Sequence, residues 1–526
     1  MATTPAEGAM AFFRSCDAVL RGDTDQLHTV KRLLAEANIT WPRRATTPDV
    51  LETLLHTSVK LRLSPLFNIE IDMTVDYGTD VFLMPFDDSR LLRRKFDFLY
   101  SATEGEQRAY FNLLRDRFGS TKAQEREVTF EEVADLSISM LVPMFESLKK
   151  QSIPDVLLQD SLATSRWESG LALYGVKQKP ITYSTEALPY IEKFFELWSV
   201  YGETKTHLLV SWCAIQIAAL YANQELIVNY YGSEERALVE HGAFCLSKAY
   251  LIGKFSLFAD YTAHILYRNG RRDLEEIAHN VRRAFHSRLQ AWLYYEPVRT
   301  VVADWDSVAT VFSAFDAGGG NIANDTQLYP VMGDSLAENW KNAAITMKTM
   351  RSDKVFMTLL SSGLHVVFYN DFVLLPFAAS FPLYNVDATD AVKYGGIGKE
   401  MALSLSGLFY DTYWRFSQAN HSIANVSKCM GGPQALANNL EVVAINALYD
   451  AFKDASAGRD IRLVGLEKYT ASQIFFIASC YAKCPGSMDI SNEDCNTALR
   501  HVQAFTIAFR CLQRDFMNPE ERCHLF

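Results

Sequence analysis

The sequence predicts a mainly α-helical protein with a small β component. Three observations carry that expectation. Apolar residues recur at three-and-four spacing over long stretches, strand-like alternation is rare, and apolar residues make up 49% of the chain against 21% charged. A chain of 526 residues with this balance buries a sizeable core, so disorder over most of its length is excluded.

Helical periodicity is read from Phe130 to Lys149 and from Ala187 to Val200. Leu208 to Ala222 is nearly continuous apolar sequence, but it contains Ser211 and Gln216 and is bounded by His207 and Asn223. It is too short and too interrupted to span a membrane and reads as a buried core helix. Further helices are expected from Glu234 to Tyr267, Asp273 to Tyr295 and Gln434 to Lys453. In Asp273–Tyr295 one face carries Leu274, Ile277, Val281, Ala284, Phe285, Leu289 and Trp292. Arg282, Arg283 and Arg288 fall on the other side and read as a solvated basic face.

Two strand pairs are expected. One lies around Phe67 to Met84. The other, Leu364 to Leu375, reads as a hairpin whose tight turn falls at or near Asn370-Asp371. Gly318-Gly319-Gly320 lacks the Gly-Lys-Ser/Thr of a phosphate loop and reads as flexible linker. The division expected is therefore a helical region over 1–315, a linker over 316–340 and a mixed region over 341–526.

Lys plus Arg is 51 and Asp plus Glu is 62, a net 51 − 62 = −11. This gives no general footprint for nucleic acid or anionic lipid. Met1 to Met10 lacks the basic and apolar regions of a signal peptide, so the chain reads as cytosolic or as missing its original N-terminus. Nine cysteines occur, five within the last 47 residues, together with glycosylation sequons at Asn38, Asn324, Asn420 and Asn425. These lean towards an extracellular, disulfide-forming context.

Three segments share an order and rough spacing: Tyr394-Gly395-Gly396-Ile397-Gly398, Leu463-Val464-Gly465-Leu466 followed by Gln473-Ile474-Phe475-Phe476 and Cys484, and Asn518-Pro519-Glu520-Glu521-Arg522-Cys523 after Ala508-Phe509-Arg510-Cys511. They resemble the C-terminal region of neprilysin and the endothelin-converting enzymes. Phe13-Arg14-Ser15-Cys16 resembles a Tyr-Arg-Ser-Cys early in the same ectodomain. The resemblance implies a two-lobed, mainly helical ectodomain with a gluzincin-like C-terminal region, from a family of secreted or membrane-anchored zinc endopeptidases. It also implies pairing of Cys16 with Cys245 and of Cys429 with Cys523. It leaves Cys480, Cys484, Cys495 and Cys511 open, while Cys213 reads as a buried core thiol.

The family's chemistry requires H-E-x-x-H, which sets two zinc-binding imidazoles one helical turn apart around a general base, with a third ligand Glu on a following helix. Counted from Gly398, these positions fall on Leu403, Ser404 and Gly407; counted back from Tyr449, the third ligand falls on Ala437, with Asn438 retained. The carboxylate that would orient a ligand His falls on Glu441. The substrate-gripping Asn-Ala falls near Val366-Val367, before the aromatic pair Phe368-Tyr369. The transition-state His and substrate-binding Arg fall near Met488 and Asp494. Every ligand and the base are thus replaced, and Leu403, Leu405, Leu408 and Phe409 offer apolar filling instead.

No H-E-x-x-H, H-x-x-x-H or H-x-x-E-H occurs in the chain. His241 with Cys245, and His279 with His286, share helix faces but read as ordinary packed or surface residues. Glu400 and Glu441 could meet as paired carboxylates, with no other support for glycosidase chemistry. The expectation is a catalytically inactive pseudopeptidase that needs no cofactor and binds a peptide or protein in the former cleft. The alternative is an active zinc metalloendopeptidase working through displaced ligands.

Overall fold

A computed structural model shows the architecture. It describes residues 3–72, 79–84, 102–119, 128–148, 156–157, 164–176, 180–185, 187–265, 270–295, 329–347, 365–368, 371–374, 378–409, 429, 436–481 and 495–523. The fold is mainly helical with a small β component, and it divides into two compact units. The first comprises Met1–Lys254 with Thr326–Lys354, and the second Phe255–Asp325 with Val355–Phe526.

The first unit opens on the helix Pro5–Leu20. Thr4 caps it, with the Glu7 carboxylate accepting from the Thr4 backbone N–H and Pro5 at the first position. Its inner face, including Phe12, Cys16 and Val19, is fully buried. Phe12 packs on Trp340 at 5.6 Å, and Asn339 Nδ2 donates to Ser15 Oγ at 3.0 Å. Within 329–340, expected as part of a linker, Tyr329, Met332, Leu336, Ala337, Asn339 and Trp340 are buried in this unit. Tyr329 bridges to Thr3 and donates its hydroxyl to the Ile252 carbonyl at 3.0 Å. Burial of Tyr329, Leu336 and Trp340 overrides the linker reading, which was drawn from glycines at 318–320 that lie outside the described residues.

The helix Leu188–Ala218 joins two of the expected segments. Gly202 breaks its regular conformation at φ 75°, ψ 177°, a backbone that a residue with Cβ rarely adopts. Beyond that break every side chain from Thr206 to Ala222 is buried, as the apolar run predicted. Trp212 meets Trp41 and Phe111 with ring centroids 5.3 and 5.8 Å apart. Cys213 is a free buried thiol, pushed up in pKa by burial. A four-stranded sheet in the order β1-β2-β4-β3 completes the unit: β1 (Asn68–Asp72), β2 (Thr79–Met84), β3 (Val156–Leu157) and β4 (Ile181–Thr185). The β1–β2 pair is antiparallel, as expected around Phe67 to Met84, and β2–β4 is parallel. Cys16 and Cys245 form a disulfide between the first helix and the helix Glu234–Ile265.

In the second unit the helices Gly270–Tyr295, Lys399–Phe409, Leu436–Ala455 and Ala471–Tyr481 pack against one another, with a hairpin of β5 (His365–Phe368) and β6 (Asp371–Leu374) beside them. Phe368 pairs with Asp371 as the last pair of the hairpin, beside the expected position. Tyr394–Gly398 is a π-helical turn. A Cβ at Gly395 would collide with the Phe475 carbonyl, and one at Gly396 with the Leu383 carbonyl. The glycines of this motif therefore serve close backbone packing. Tyr449, Phe452, Phe475, Phe476, Phe505 and Phe509 form one aromatic cluster. Disulfides join Cys429 to Cys523 and Cys480 to Cys495, while Cys511 is free. Cys484 lies outside the described residues.

Candidate functional site

The site expected from the sequence lies where the Lys399–Phe409 helix meets Leu436–Ala455. Lys393 and Tyr394 anchor the approach to it on the Gly270–Tyr295 helix. Lys393 Nζ lies 2.9 Å from Asp273 Oδ2, and Asn280 Nδ2 donates to the Tyr394 hydroxyl at 2.9 Å. Tyr384 also donates to Asp273 Oδ2, at 2.7 Å. Arg288, expected on a solvated face, pairs with Asp450 at 2.5 Å and so ties this helix to Leu436–Ala455.

Leu403 and Gly407 are half-buried, and Ser404 is fully buried with its hydroxyl donating to the Glu400 carbonyl at 2.9 Å. That bond to the preceding turn occupies the hydroxyl within its own helix. Ala437 lies on the first turn of the facing helix. A hydrocarbon, a hydroxyl, a glycine and an alanine do not supply the imidazole, thiolate or carboxylate ligands that zinc takes, so these residues do not fit the ion.

Glu441 is buried on that facing helix, and its partner is Lys399. The ammonium lies 2.6 Å from Glu441 Oε1 and donates to the Ser479 carbonyl at 2.7 Å. The two side chains are 1% and 3% exposed. One cation thus joins the helices Lys399–Phe409, Leu436–Ala455 and Ala471–Tyr481. Glu400, the carboxylate considered from sequence as a companion of Glu441, stands one position along the helix, about 100° around its axis. A buried charge persists only when paired and hydrogen-bonded, and Lys399 has both, the Glu441 carboxylate and the Ser479 carbonyl. Sequence reasoning missed Lys399 because nothing in local spacing ties a lysine to a glutamate on another helix. The usable signal was a lysine inside a helical segment otherwise dominated by apolar and small residues.

Val366, Val367 and Phe368 lie on β5, opposite Val373, Phe372 and Asp371. Tyr369, Met488, Asp494, Leu408's side chain and the sequons at Asn324, Asn420 and Asn425 lie outside what is described. Asn38 is half-buried, and its Nδ2 donates to the Thr47 carbonyl at 2.9 Å.

The described residues hold one cluster with the composition and proximity of a metal site, in the first unit: Cys16, His241 and Cys245, all buried, with ligand atoms within 4.8 Å of one another. Burial holds the His241 imidazole neutral, its pKa pushed down to about 3. The unfolded chain takes up this proton near pH 6.5 and the folded chain does not until about 3. Stability is thus present above pH 6.5 and lost as pH falls, by about 1.4 kcal/mol per pH unit. Urea unfolding of wild type and His241→Phe at pH 7 and pH 5 is expected to show about 2 kcal/mol of acid destabilisation that the variant lacks.

No protein-family model and no curated protein matches the chain. Solved structures do. Zinc metalloprotease Zmp1 of Mycobacterium tuberculosis in complex with an inhibitor is 13% identical and aligns over 98% of this chain and 88% of its own, with a TM-score of 0.63. PepO from Lactobacillus rhamnosis is 13% identical over 99% of this chain and 90% of its own, with a TM-score of 0.60. A Haemonchus galactose-containing glycoprotein complex is also 13% identical, over 100% of this chain and 92% of its own, with a TM-score of 0.53. Identities this low establish shared fold alone. The fold is the neprilysin-like helical one that the sequence motifs imply.

Proposed function

We propose that this chain is a neprilysin-type protein without peptidase activity, acting outside the cell as a binder of a peptide or protein. The observation that carries the reading is the residue set at the helix crossing. Leu403, Ser404, Gly407 and Ala437 stand at the positions counted for the two ligand imidazoles, the general base and the third ligand. The neighbouring Lys399 brings a buried positive charge to Glu441, and such a charge disfavours a divalent cation nearby.

Three disulfides support an oxidising compartment, as do the four sequons. Among the described residues no helix is long and apolar enough to cross a membrane. Binding in the former cleft is our extension from the fold; the structural neighbour Zmp1 is itself solved in complex with an inhibitor.

Incubation of the purified, oxidised chain with a library of internally quenched peptides tests the reading. No hydrolysis above a heat-treated control is expected. Cleavage that a chelator abolishes would replace this reading with that of an active metalloendopeptidase using displaced ligands.

A further inference from the structure

The Cys16–Cys245 disulfide has a neighbour that a covalent bridge does not require. His241 stands one helical turn before Cys245, and its Nε2 lies 3.7 Å from Cys16 Sγ. The ring is 0% exposed, stacks on Phe244 with centroids 5.0 Å apart and meets Tyr231 edge-on at 5.9 Å. Its Nδ1 has no hydrogen-bond partner among the described residues. Leaving a buried polar nitrogen unpaired carries a free-energy penalty that phenylalanine, filling the same stack, would avoid. The bridge sulfur engages only Nε2 and leaves Nδ1 without a partner among the described residues.

Two thiolates and a neutral imidazole are a ligand set for Zn²⁺ and its relatives. Metal–ligand bonds of about 2.0–2.3 Å place neighbouring ligand atoms of a tetrahedral site roughly 3.3–3.8 Å apart. The sulfur–nitrogen separation of 3.7 Å already meets that, and the Cα atoms of the two cysteines are 5.8 Å apart. The two sulfurs have to separate, and all three ligand atoms already lie within 4.8 Å of one another.

We propose that opening the Cys16–Cys245 disulfide creates a buried Cys-His-Cys site for a thiophilic divalent cation of the Zn²⁺ class. An external dithiol attacks one sulfur, its second thiolate resolves the mixed disulfide, and it departs as a cyclic disulfide. The two cysteines receive the two electrons and two protons as thiols. The cation then displaces both thiol protons to solvent and is held by two thiolates and the His241 nitrogen. The helix Pro5–Leu20 is tied to Glu234–Ile265 in both states, by a covalent bond when oxidised and by a metal when reduced.

The full chain is reduced with dithiothreitol, desalted under argon and titrated with Co²⁺. Wild type is expected to take up one more equivalent than His241→Phe, with a thiolate-to-cobalt absorption band that the variant lacks. Cys16→Ser is expected to show the same loss, and the untreated oxidised chain no difference between wild type and variant. Circular dichroism of oxidised His241→Phe verifies that the variant folds. Equal Co²⁺ uptake by reduced wild type and both variants would overturn the proposal, as would a reduced wild-type chain that unfolds and binds none.

Discussion

Lys399→Met is expected to lower stability by about 3–5 kcal/mol, because it leaves the Glu441 carboxylate buried at the helix crossing without its cation. The Ser479 carbonyl loses its donor in the same step. The double variant Lys399→Met/Glu441→Met is expected to recover most of that loss, since well-packed apolar side chains commonly match or exceed a buried ion pair. Urea unfolding of the two single variants and the double variant gives the coupling directly. A single variant within about 1 kcal/mol of wild type would mean that the pair does not hold the three helices together.

Replacing Cys16 and Cys245 together by alanine is expected to lower stability by about 5 kcal/mol. The bridge spans 229 residues, so its removal frees a long loop in the unfolded chain. Differential unfolding of the oxidised double variant against wild type measures this, and a loss below about 1 kcal/mol would contradict it. The Cys480–Cys495 bridge spans 15 residues and is expected to contribute less by the same argument, about 3 kcal/mol.

Much of this architecture was legible in the sequence where the signal was local. The three-and-four spacing of Leu274, Ile277, Val281 and Leu289 marks the buried face of Gly270–Tyr295, and those residues are buried. The hairpin around 370 and the core segment after His207 followed from alternation and from uninterrupted apolar content. The family motifs implied the Cys16–Cys245 and Cys429–Cys523 pairs, which are the pairs formed.

What escaped depends on contacts between distant residues. Lys399 and Glu441 sit on different helices, and nothing about either residue's neighbours in sequence announces the pair. Arg288 read as solvated because periodicity assigns a face without showing what packs near it, and Asp450 does. Residues 329–340 were placed in a linker by their proximity to glycines, although their own aromatic and aliphatic content was the stronger signal. His241 read as ordinary because its helix supplies only Cys245; Cys16 arrives from another helix.

Zinc content of the oxidised full chain, dialysed without chelator and measured by elemental mass spectrometry, tests the central claim most directly. Non-reducing conditions keep the Cys16–Cys245 bridge closed, so the measurement reports on the helix crossing. The residues at that crossing predict zinc far below one ion per chain. One zinc ion per chain would contradict the account, because Leu403, Ser404, Gly407 and Ala437 offer it no ligand.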